Sequence, residues 1–292
     1  MQVREVLERT VAHLKKLGIA SARLDSELLI AHGLNWDRLQ IYLKYDYPLS
    51  PTELEVCRNL VRRRSQGEPI AYICGQKGFY KSDFYVETGV FIPRPETEHI
   101  VERALALIER TEKPICIVEL GVGSGCVGLS LLQELPQGEL LGVDISEVAV
   151  QVATKNAARL DLTQRARFVH RDAGQLDAHV LLGNWGRLAD VVVANPPYIA
   201  EGDSDVEVNV KKFEPHQALY AGPDGLEKIR AWAKLSKSLL NPGGCLVFEM
   251  GTGQGAKCNA ILAQLGYNEI IVGRDLAGHE RWISARVPEN IS

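Results

Sequence analysis

From residue 97 onward, short apolar segments alternate with stretches in which apolar residues recur at helical spacing. Segments such as 115–120 are apolar almost throughout, which is typical of strands covered on both faces of a parallel sheet. The predicted strands are 115–120, 140–144, 166–170, 190–195, 245–250, 268–273 and 281–286. The helices predicted around them are 97–110, 125–134, 146–160, 224–240 and 254–265. This alternation predicts an α/β fold with a mostly parallel sheet, whose ligands bind beyond the carboxyl ends of the strands.

The first part of the chain follows a different pattern. Apolar residues recur at helical spacing near the start, and Ser50 followed by Pro51 is a typical beginning of a further helix. Glycines then separate short apolar and aromatic runs, which predicts short strands or hairpins. We therefore expect a small helical domain over 1–68, a β-hairpin linker over 69–93 and the main domain over 94–292.

Composition excludes several classes of protein. The 292 residues are 46% hydrophobic, so there is ample apolar surface for cores and the chain is not disordered as a whole. The net charge is −4, although the first 90 residues are slightly basic. A protein that grips a duplex usually has a basic excess, so the charge argues against a large nucleic-acid footprint.

The cysteines and the first 16 residues indicate in which cellular compartment the protein is located. No two of the six cysteines form a C-x-x-C pair, so we expect reduced, buried thiols and no metal site. No segment approaches the roughly 20 apolar residues of a membrane helix. The first 16 residues mix charges at helical spacing and lack the apolar core of a signal peptide. We therefore expect a cytoplasmic protein without a membrane span.

A glycine-rich turn follows the strand at 115–120. It reads Gly121-Val122-Gly123-Ser124-Gly125 and opens the next predicted helix. Glycines let the backbone turn sharply and approach a ligand, and a helix N-terminus presents free N–H groups. The spacing G-x-G-x-G differs from the dinucleotide pattern, whose third glycine falls where this chain has Cys126, and no Walker lysine follows. We expect these five loop residues to bind a cofactor.

Two carboxylates follow the glycine turn at the ends of the next strands. Asp144 ends the strand at 140–144 and can accept hydrogen bonds from both hydroxyls of a ribose. Asp172 follows the strand at 166–170 and can accept from an adenine amino group. The order of these features, with a polar motif after the fourth strand, resembles a Rossmann-like class I S-adenosylmethionine-dependent methyltransferase. That resemblance implies S-adenosylmethionine as the cofactor.

The polar motif is Asn195-Pro196-Pro197-Tyr198, at the carboxyl end of an apolar strand. Proline fixes φ and has no N–H, so the segment is a rigid rim. The Asn195 side-chain oxygen and the Pro196 carbonyl can accept both hydrogens of a planar –NH₂ group, and Tyr198 can stack on its plane. Two acceptors favour a pyramidal nitrogen whose lone pair attacks a sulfonium methyl, with positioning as the main contribution.

This motif alone leaves two amino groups open, because it also resembles the motif of adenine-N6 DNA methyltransferases. The remaining chain decides between them. Residues 91–98 (FIPRPETE), 213–219 (FEPHQAL) and 222–226 (GPDGL) resemble signatures of the HemK/PrmC family of protein glutamine-N5 methyltransferases. The resemblance covers nearly the whole chain, including the helical N-terminal domain.

The family resemblance implies a substrate and a set of site residues. The substrate would be the glutamine of the Gly-Gly-Gln motif in class 1 peptide-chain release factors, with the N-terminal domain helping to grip that protein. Phe91, Arg94 and Glu98 would line or brace the pocket. Ala173 departs from members with an aromatic residue there, so adenine stacking is lost and its backbone N–H is left to face the base. The cofactor residues would be Gly121, Val122, Gly123, Ser124, Gly125, Asp144, Asp172, Ala173 and Asn195, and the catalytic or substrate residues Asn195, Pro196, Pro197 and Tyr198.

Three alternatives remain open at this point. A glutamine of a ribosomal protein would be methylated by the same chemistry. A nucleic-acid adenine methyltransferase would need a basic cleft and room for a flipped base. A non-catalytic cofactor-binding module would not need the Asn195–Tyr198 motif. We expect a monomer that acts on release factors and has no stable nucleic-acid partner.

Overall fold

The computed structural model describes residues 1–109, 113–175 and 185–289, which form two compact units. The first unit contains residues 1–76 and returns at residues 208–213, and the second contains the rest of the described chain. The predicted boundaries at residues 68 and 93 stay predictions.

The first unit is helical. Its helices are α1 (Val3–Lys16), α2 (Ala22–Leu34), α3 (Arg38–Leu43), α4 (Pro51–Ser65) and α5 (Ile70–Cys74). Helix α4 begins as predicted, because the Ser50 side chain accepts from the Glu53 N–H and the Glu53 side chain reaches back to Ser50. Leu7, Leu29 and Ile30 are fully buried between the helices. The helical character predicted for this part of the chain is present in the structure.

Residues 69–93, predicted to form strands or hairpins, form strands in only part of that range. Residues 76–85 form a hairpin of β1 (Gln76–Phe79) and β2 (Ser82–Tyr85). The strand prediction is wrong for α5, where Pro69 precedes the helix and Gly75 ends it in a left-handed conformation. A short apolar run between a proline and a glycine fits either structure, so the pattern could not distinguish them.

The second unit contains a seven-stranded sheet in the order β5-β4-β3-β6-β7-β9-β8. The first five strands in that order are parallel, whereas β9 is antiparallel to β7 and to β8. The strands are β3 (Ile115–Leu120), β4 (Gly138–Asp144), β5 (Ala166–His170), β6 (Ala189–Ala194), β7 (Leu240–Glu249), β8 (Asn268–Arg274) and β9 (Glu280–Arg286). The predicted α/β fold with a mostly parallel sheet is therefore confirmed.

Apart from α9, which was not predicted, the remaining helices follow the predicted ones within a few residues. They are α6 (Glu98–Leu107), α7 (Cys126–Glu134), α8 (Glu147–Arg159), α9 (Val208–Phe213, in the first unit), α10 (Glu227–Leu239) and α11 (Gly255–Gln264). Two apolar clusters cover the sheet, one including Trp232 of α10 and the other including Leu129 of α7. All six residues of β3 are buried, as expected for a central strand covered on both faces.

Three further expectations concerned the cysteines, membrane spans and metal sites. All six cysteines have free thiols and five of them are buried, whereas Cys74 is half-buried. No helix in residues 1–109, 113–175 and 185–289 is long and apolar enough to cross a membrane. Over the same ranges, no group of three or more His, Cys, Asp and Glu side chains is arranged to hold a metal ion.

Gly128 gives a test of how closely α7 packs on the sheet. A methyl group at this position would lie 2.5 Å from Glu119 Oε2 and 2.6 Å from Leu140 Cδ2. We expect Gly128→Ala to lower the free energy of unfolding by about 1–3 kcal/mol, because overpacking outweighs the roughly 1 kcal/mol that alanine gains in a helix. Urea unfolding measures the change, with Gln151→Ala on the exposed face of α8 as the near-neutral control. A more stable Gly128→Ala variant would contradict the close contact.

Candidate active site

The glycine-rich turn leaves β3 at the carboxyl edge of the sheet. Gly121, Gly123 and Gly125 all have positive φ, which L side chains rarely adopt. A methyl group at Gly121 would lie 2.7 Å from the Trp232 ring, and one at Gly125 3.2 Å from the Ala153 methyl, so both glycines permit close packing. At Gly123 a methyl group would meet no atom within 4 Å. Other side chains therefore pack against the turn at Gly121 and Gly125, whereas the space beside Gly123 is open.

Asp144 ties the glycine turn to the end of β4. Its Oδ2 accepts from the Gly123 N–H at 2.9 Å and its Oδ1 from the Ser146 N–H at 2.8 Å. Burial raises the pKa of Asp144, and these two N–H donors oppose the shift. The predicted carboxylate therefore lies directly beside the predicted loop.

The other predicted cofactor residues differ in what their side chains can reach. Val122 and Ser124 are buried, so neither side chain is open to a ligand. Ala173 is also buried and belongs to the apolar core. Asp172 is half-buried, and its Oδ1 accepts from the Gly174 N–H at 2.8 Å. Asp172 lies after β5, two strands from β3 at the same edge.

The Asn195–Tyr198 motif leaves the sheet next to the glycine turn. Leu120 at the end of β3 pairs with Ala194 at the end of β6, so Gly121 and Asn195 are the next residues on adjacent strands. Parallel pairing therefore brings together the two motifs that were predicted to form one site. Asn195 and Tyr198 are half-buried, whereas Pro196 and Pro197 are buried.

A hydrogen-bonded network holds the polar side chains of this motif. Asn195 Nδ2 donates to Thr97 Oγ1 at 3.1 Å. Tyr198 Oη donates to Glu249 Oε1 at 3.1 Å. Thr97 and Glu249 are both almost fully buried. The network connects α6, the motif and the end of β7.

The backbone of Tyr198 is fixed from the other side. Gln254 Nε2 donates to the Tyr198 carbonyl at 3.0 Å, and Gln254 Oε1 accepts from the Gly251 N–H at 2.8 Å. A methyl group at Gly225 would lie 2.3 Å from the Tyr198 carbonyl oxygen. Gly225 belongs to the GPDGL segment singled out in the sequence, and its lack of a side chain permits this approach.

The other two signature segments are joined to each other. Arg94 Nη2 donates to Glu214 Oε1 in an ion pair, and Glu214 Oε2 accepts from the Ile92 N–H at 3.2 Å. The Arg94 guanidinium lies over the Phe91 ring, 4.9 Å from its centroid. Glu98, by contrast, accepts from the Tyr80 N–H at 2.9 Å and braces the β1–β2 hairpin.

The sequence analysis did not assign roles to several residues of this region. Thr97 lies inside the 91–98 signature and Glu249 ends an apolar strand, but only the fold shows that they hydrogen-bond Asn195 and Tyr198. Asn156 of α8 donates to the carbonyls of Tyr85 and Ser124 and accepts from the Tyr85 N–H. It thereby fastens the glycine turn to β2.

Two buried carboxyl groups lie near these loops, Glu119 on β3 and Glu249 on β7, with β6 between the two strands. Burial raises the pKa of Glu119 to about 8, and the Gly128 N–H that donates to it opposes the shift. Burial raises the pKa of Glu249 to about 7, and the hydrogen bond from the Tyr198 hydroxyl opposes the shift. Burial is also the main reason that the pKa of Tyr198 is raised, so its hydroxyl keeps its proton. Near neutral pH these three groups are protonated or readily protonated.

The fold and the site together define a class I methyltransferase. The model of the PrmC N-terminal domain matches residues 5–75, and that of the methyltransferase small domain matches residues 97–219. The release factor glutamine methyltransferase of Geobacter sulfurreducens is 36% identical over 98% of this chain and 96% of that protein. The one of Rhodopirellula baltica is 35% identical over 97% and 95%. The chain belongs to the release factor glutamine methyltransferase family, which confirms the HemK/PrmC resemblance.

A solved structure adds a more distant similarity. The protein-(glutamine-N5) methyltransferase (release factor-specific) of Alicyclobacillus acidocaldarius is 23% identical, and the match covers 68% of this chain and 94% of that one with a TM-score of 0.43. A match at this level adds nothing to the family assignment.

The enzyme is a methyltransferase that uses S-adenosylmethionine, as its family does. The residues present fit this group. The space beside Gly123 is open, and helix α7 begins directly after the turn. The Asp144 carboxylate accepts a hydrogen bond from the Gly123 N–H. Backbone N–H groups at a helix N-terminus suit a carboxylate, and a second carboxylate suits hydroxyl donors.

Glu119 makes a pH dependence of stability testable. Its pKa is about 8 in the folded protein and near 4.5 unfolded, so the folded state binds more protons between these values. Over this range the unfolded state releases its proton while the folded state keeps it, so stability falls by at most about 1.4 kcal/mol per pH unit. We therefore expect Glu119→Gln to gain stability relative to wild type from pH 5 to pH 8. Urea unfolding at several pH values measures this difference, and parallel curves for the two proteins would contradict it.

Proposed function

We propose that this enzyme transfers a methyl group from S-adenosylmethionine to the side-chain amide nitrogen (N5) of the glutamine in the Gly-Gly-Gln motif of class 1 peptide-chain release factors. The modification would modulate translation termination. The observation that carries the proposal is the placement of Asn195 directly beside the glycine turn. The family membership of nearly the whole chain supports the choice of a glutamine over an adenine.

Asn195, Pro196 and Tyr198 would hold the substrate amide. The Asn195 side-chain oxygen and the Pro196 carbonyl accept its two N–H groups, and the Tyr198 ring packs against its plane. The proline backbone is rigid, so the two acceptors cost little conformational freedom when the substrate binds. Pulling on both N–H bonds weakens the delocalisation of the nitrogen lone pair into the carbonyl, which exposes that lone pair for attack.

The glycine turn and the strand-end carboxylates would hold the methyl donor. Backbone groups of Gly121 to Gly125, the carboxylates of Asp144 and Asp172, and the Ala173 N–H line its place. When bound, S-adenosylmethionine supplies a methyl carbon on a positively charged sulfur, which keeps the carbon–sulfur electron pair as the nitrogen lone pair bonds the carbon. The alkylated nitrogen is acidic and loses a proton to solvent, so the chain needs no strong general base.

The first unit offers a surface for the protein substrate. A groove of about 370 Å³ lies between α1 and α4. Its residues are Met1, Val6, Arg9, Thr10, His13, Leu54, Cys57, Arg58, Val61, Arg62 and Ser65. The floor is apolar, three arginines stand on the exposed sides, and none of these residues is acidic. We assign to it an acidic, partly apolar segment of the release factor, bound by a cytoplasmic monomer of the enzyme.

Mass spectrometry of a purified release factor tests the reaction directly. Incubation with the enzyme and S-adenosylmethionine is expected to add one methyl group to the Gly-Gly-Gln glutamine, and a Gln→Ala substrate should gain none. We expect Asn195→Ala to lower turnover at least about 100-fold, because the substrate amide loses a positioning acceptor. The melting temperature should change little.

Near-normal turnover by Asn195→Ala would overturn the proposed role of the motif. If wild-type enzyme leaves the release factor unmodified, the proposed substrate is wrong. A ribosomal-protein glutamine and then a nucleic-acid amine are the next substrates to test.

Charge reversal tests the groove. We expect Arg9→Glu and Arg62→Glu each to raise the KM for the release factor about 3- to 30-fold and to leave the affinity for S-adenosylmethionine unchanged, because an acidic segment is repelled from the groove. Lys15→Glu, on the opposite side of α1, is the matched control. Steady-state kinetics at two salt concentrations measure the effect, and equal KM values for all three variants would rule out the groove as the contact.

A further inference from the structure

The segment that ends β7 and leads into α11 contacts Tyr198 along its whole length. The Tyr198 carbonyl accepts from Gln254 Nε2 at 3.0 Å, and the Tyr198 hydroxyl oxygen lies 3.1 Å from Glu249 Oε1. Between these two ends, a methyl group added at Gly251 would lie 3.3 Å from Tyr198 Cδ2, so the glycine backbone passes close to the ring. Residues 249–254 therefore contact the backbone, the ring edge and the hydroxyl of one tyrosine.

The Gln254 carboxamide has its orientation set by two backbone groups. The Gly251 N–H donates to Gln254 Oε1 at 2.8 Å, and the Tyr198 carbonyl accepts from Gln254 Nε2. A backbone N–H only donates and a backbone carbonyl only accepts, so neither group tolerates the opposite end of the carboxamide. A flipped carboxamide would lose both hydrogen bonds in a half-buried place. The orientation of Gln254 thus depends on no ionisable group.

The peptide plane between Tyr198 and Ile199 is held at both of its polar groups. Its carbonyl accepts from Gln254, and its N–H donates to the Leu219 carbonyl at 3.0 Å. A methyl group at Gly225 would lie 2.3 Å from the same Tyr198 carbonyl oxygen, so backbone also encloses it. A fixed peptide plane fixes the direction in which the Tyr198 side chain leaves the backbone. Gln254 thereby determines where the ring begins.

The start of α11 does not account for the Gln254 side chain. Gln254 stands directly before this helix, where a short polar side chain usually caps the free N–H groups. Its side chain makes no capping hydrogen bond, and the Gly255 N–H donates to Glu280 Oε2 at 3.0 Å instead. The hydrogen bonds of the Gln254 side chain join residue 251 to Tyr198, which is a contact between loops at the site.

Glu249 holds the other end of the Tyr198 side chain. It is 3% exposed and ends β7 after a run of buried apolar residues. Its Oε1 hydrogen-bonds the Tyr198 hydroxyl, whereas Oε2 has no partner in the part of the chain that the structure describes. The hydrogen bond is possible in either protonation state, since a carboxylic acid and a carboxylate can both accept from a hydroxyl. A buried carboxyl group with one free oxygen lowers stability, so the strand gains nothing from it.

We propose that Gln254 and Glu249 are positioning residues, which hold the Tyr198 ring where it packs against the plane of the substrate amide. This inference rests on the proposed function, in which the ring lies on that plane. A ring free to turn away would leave the amide without one wall and lower the fraction of bound substrate in a reactive geometry. Gln254 fixes the backbone end of the side chain and Glu249 fixes its tip.

Gln254→Glu and Gln254→Met test the hydrogen bond at the backbone end. Ionised glutamate keeps the shape and the acceptor for Gly251 but turns an oxygen toward the Tyr198 carbonyl, whereas methionine keeps the length and makes neither bond. We expect both variants to lower kcat for the release factor about 10- to 50-fold at pH 8 and to leave the affinity for S-adenosylmethionine unchanged. Thr252→Ala, at an exposed position of the same segment, is the matched control and should keep wild-type kcat.

Glu249→Leu and Glu249→Gln test the hydrogen bond at the tip. Leucine removes the partner of the Tyr198 hydroxyl, whereas glutamine keeps one. We expect Glu249→Leu to lower kcat about 5- to 30-fold and Glu249→Gln to stay within about 3-fold of wild type. Tyr198→Phe should lose as much as Glu249→Leu, and the double variant no more than either, because both substitutions remove the same hydrogen bond.

A second measurement needs no turnover. With tyrosine rings labelled with ¹³C in the full chain, the Tyr198 ring resonances are identified by their loss in Tyr198→Phe. They should stay at their wild-type positions in Glu249→Gln and Thr252→Ala. In Gln254→Met and Glu249→Leu they should move toward the values of an exposed tyrosine, because the ring then samples further rotamers.

The outcomes separate the two proposals. Unchanged kcat and unchanged ring resonances in Gln254→Met and Glu249→Leu would overturn the positioning role. Equal losses of kcat in Glu249→Leu and Glu249→Gln, with lowered melting temperatures and unmoved ring resonances, would also overturn it and indicate packing alone. If wild type does not methylate the release factor, the proposed function fails, and the ring resonances still decide whether Gln254 and Glu249 hold Tyr198.

Discussion

The parallel pairing of β3 with β6 is the constraint on which the site depends. Leu120 and Ala194 are the last paired residues of these strands, and the chain turns away from the sheet immediately after each. Gly125 and Asn195 are 70 residues apart in sequence, yet the glycine turn and the Asn195–Tyr198 motif leave the sheet as neighbours. Because both strands are buried on both faces, a register shift would disturb the whole core. The stability of the sheet therefore fixes the distance between the two loops.

Buried carboxyl groups then define each loop in detail. Glu119, one residue before the end of β3, accepts from the Gly128 N–H and anchors the first turn of α7. Glu249, at the end of β7, accepts from the hydroxyl of Tyr198. Burying such groups is costly, and it raises the pKa of both, so each persists only where donors meet it. The stiffness of the site has a cost in stability that the surrounding core offsets.

Much of this architecture is predictable from the sequence, and the reasons for the misses are physical. The strand and helix alternation predicts the sheet, because periodicity reflects burial along one segment. Gly121 and Asn195 are predictable as neighbours, because strand ends meet at one edge. Helix α5 was missed because its apolar run is too short to show a period. The contacts of Thr97 with Asn195 and of Glu249 with Tyr198 were not predicted, because a contact between distant segments leaves no local pattern.

The 91–98 segment makes side-chain contacts with three other parts of the chain. Within five residues, Arg94 pairs with Glu214, Thr97 holds Asn195, and Glu98 accepts from the hairpin at Tyr80. The three contacts lead to three different parts of the chain, and α6 begins directly after Thr97. The hydrogen bond to the Asn195 side chain therefore comes from the same short segment that contacts the hairpin and Glu214, both of which lie outside the Asn195–Tyr198 motif.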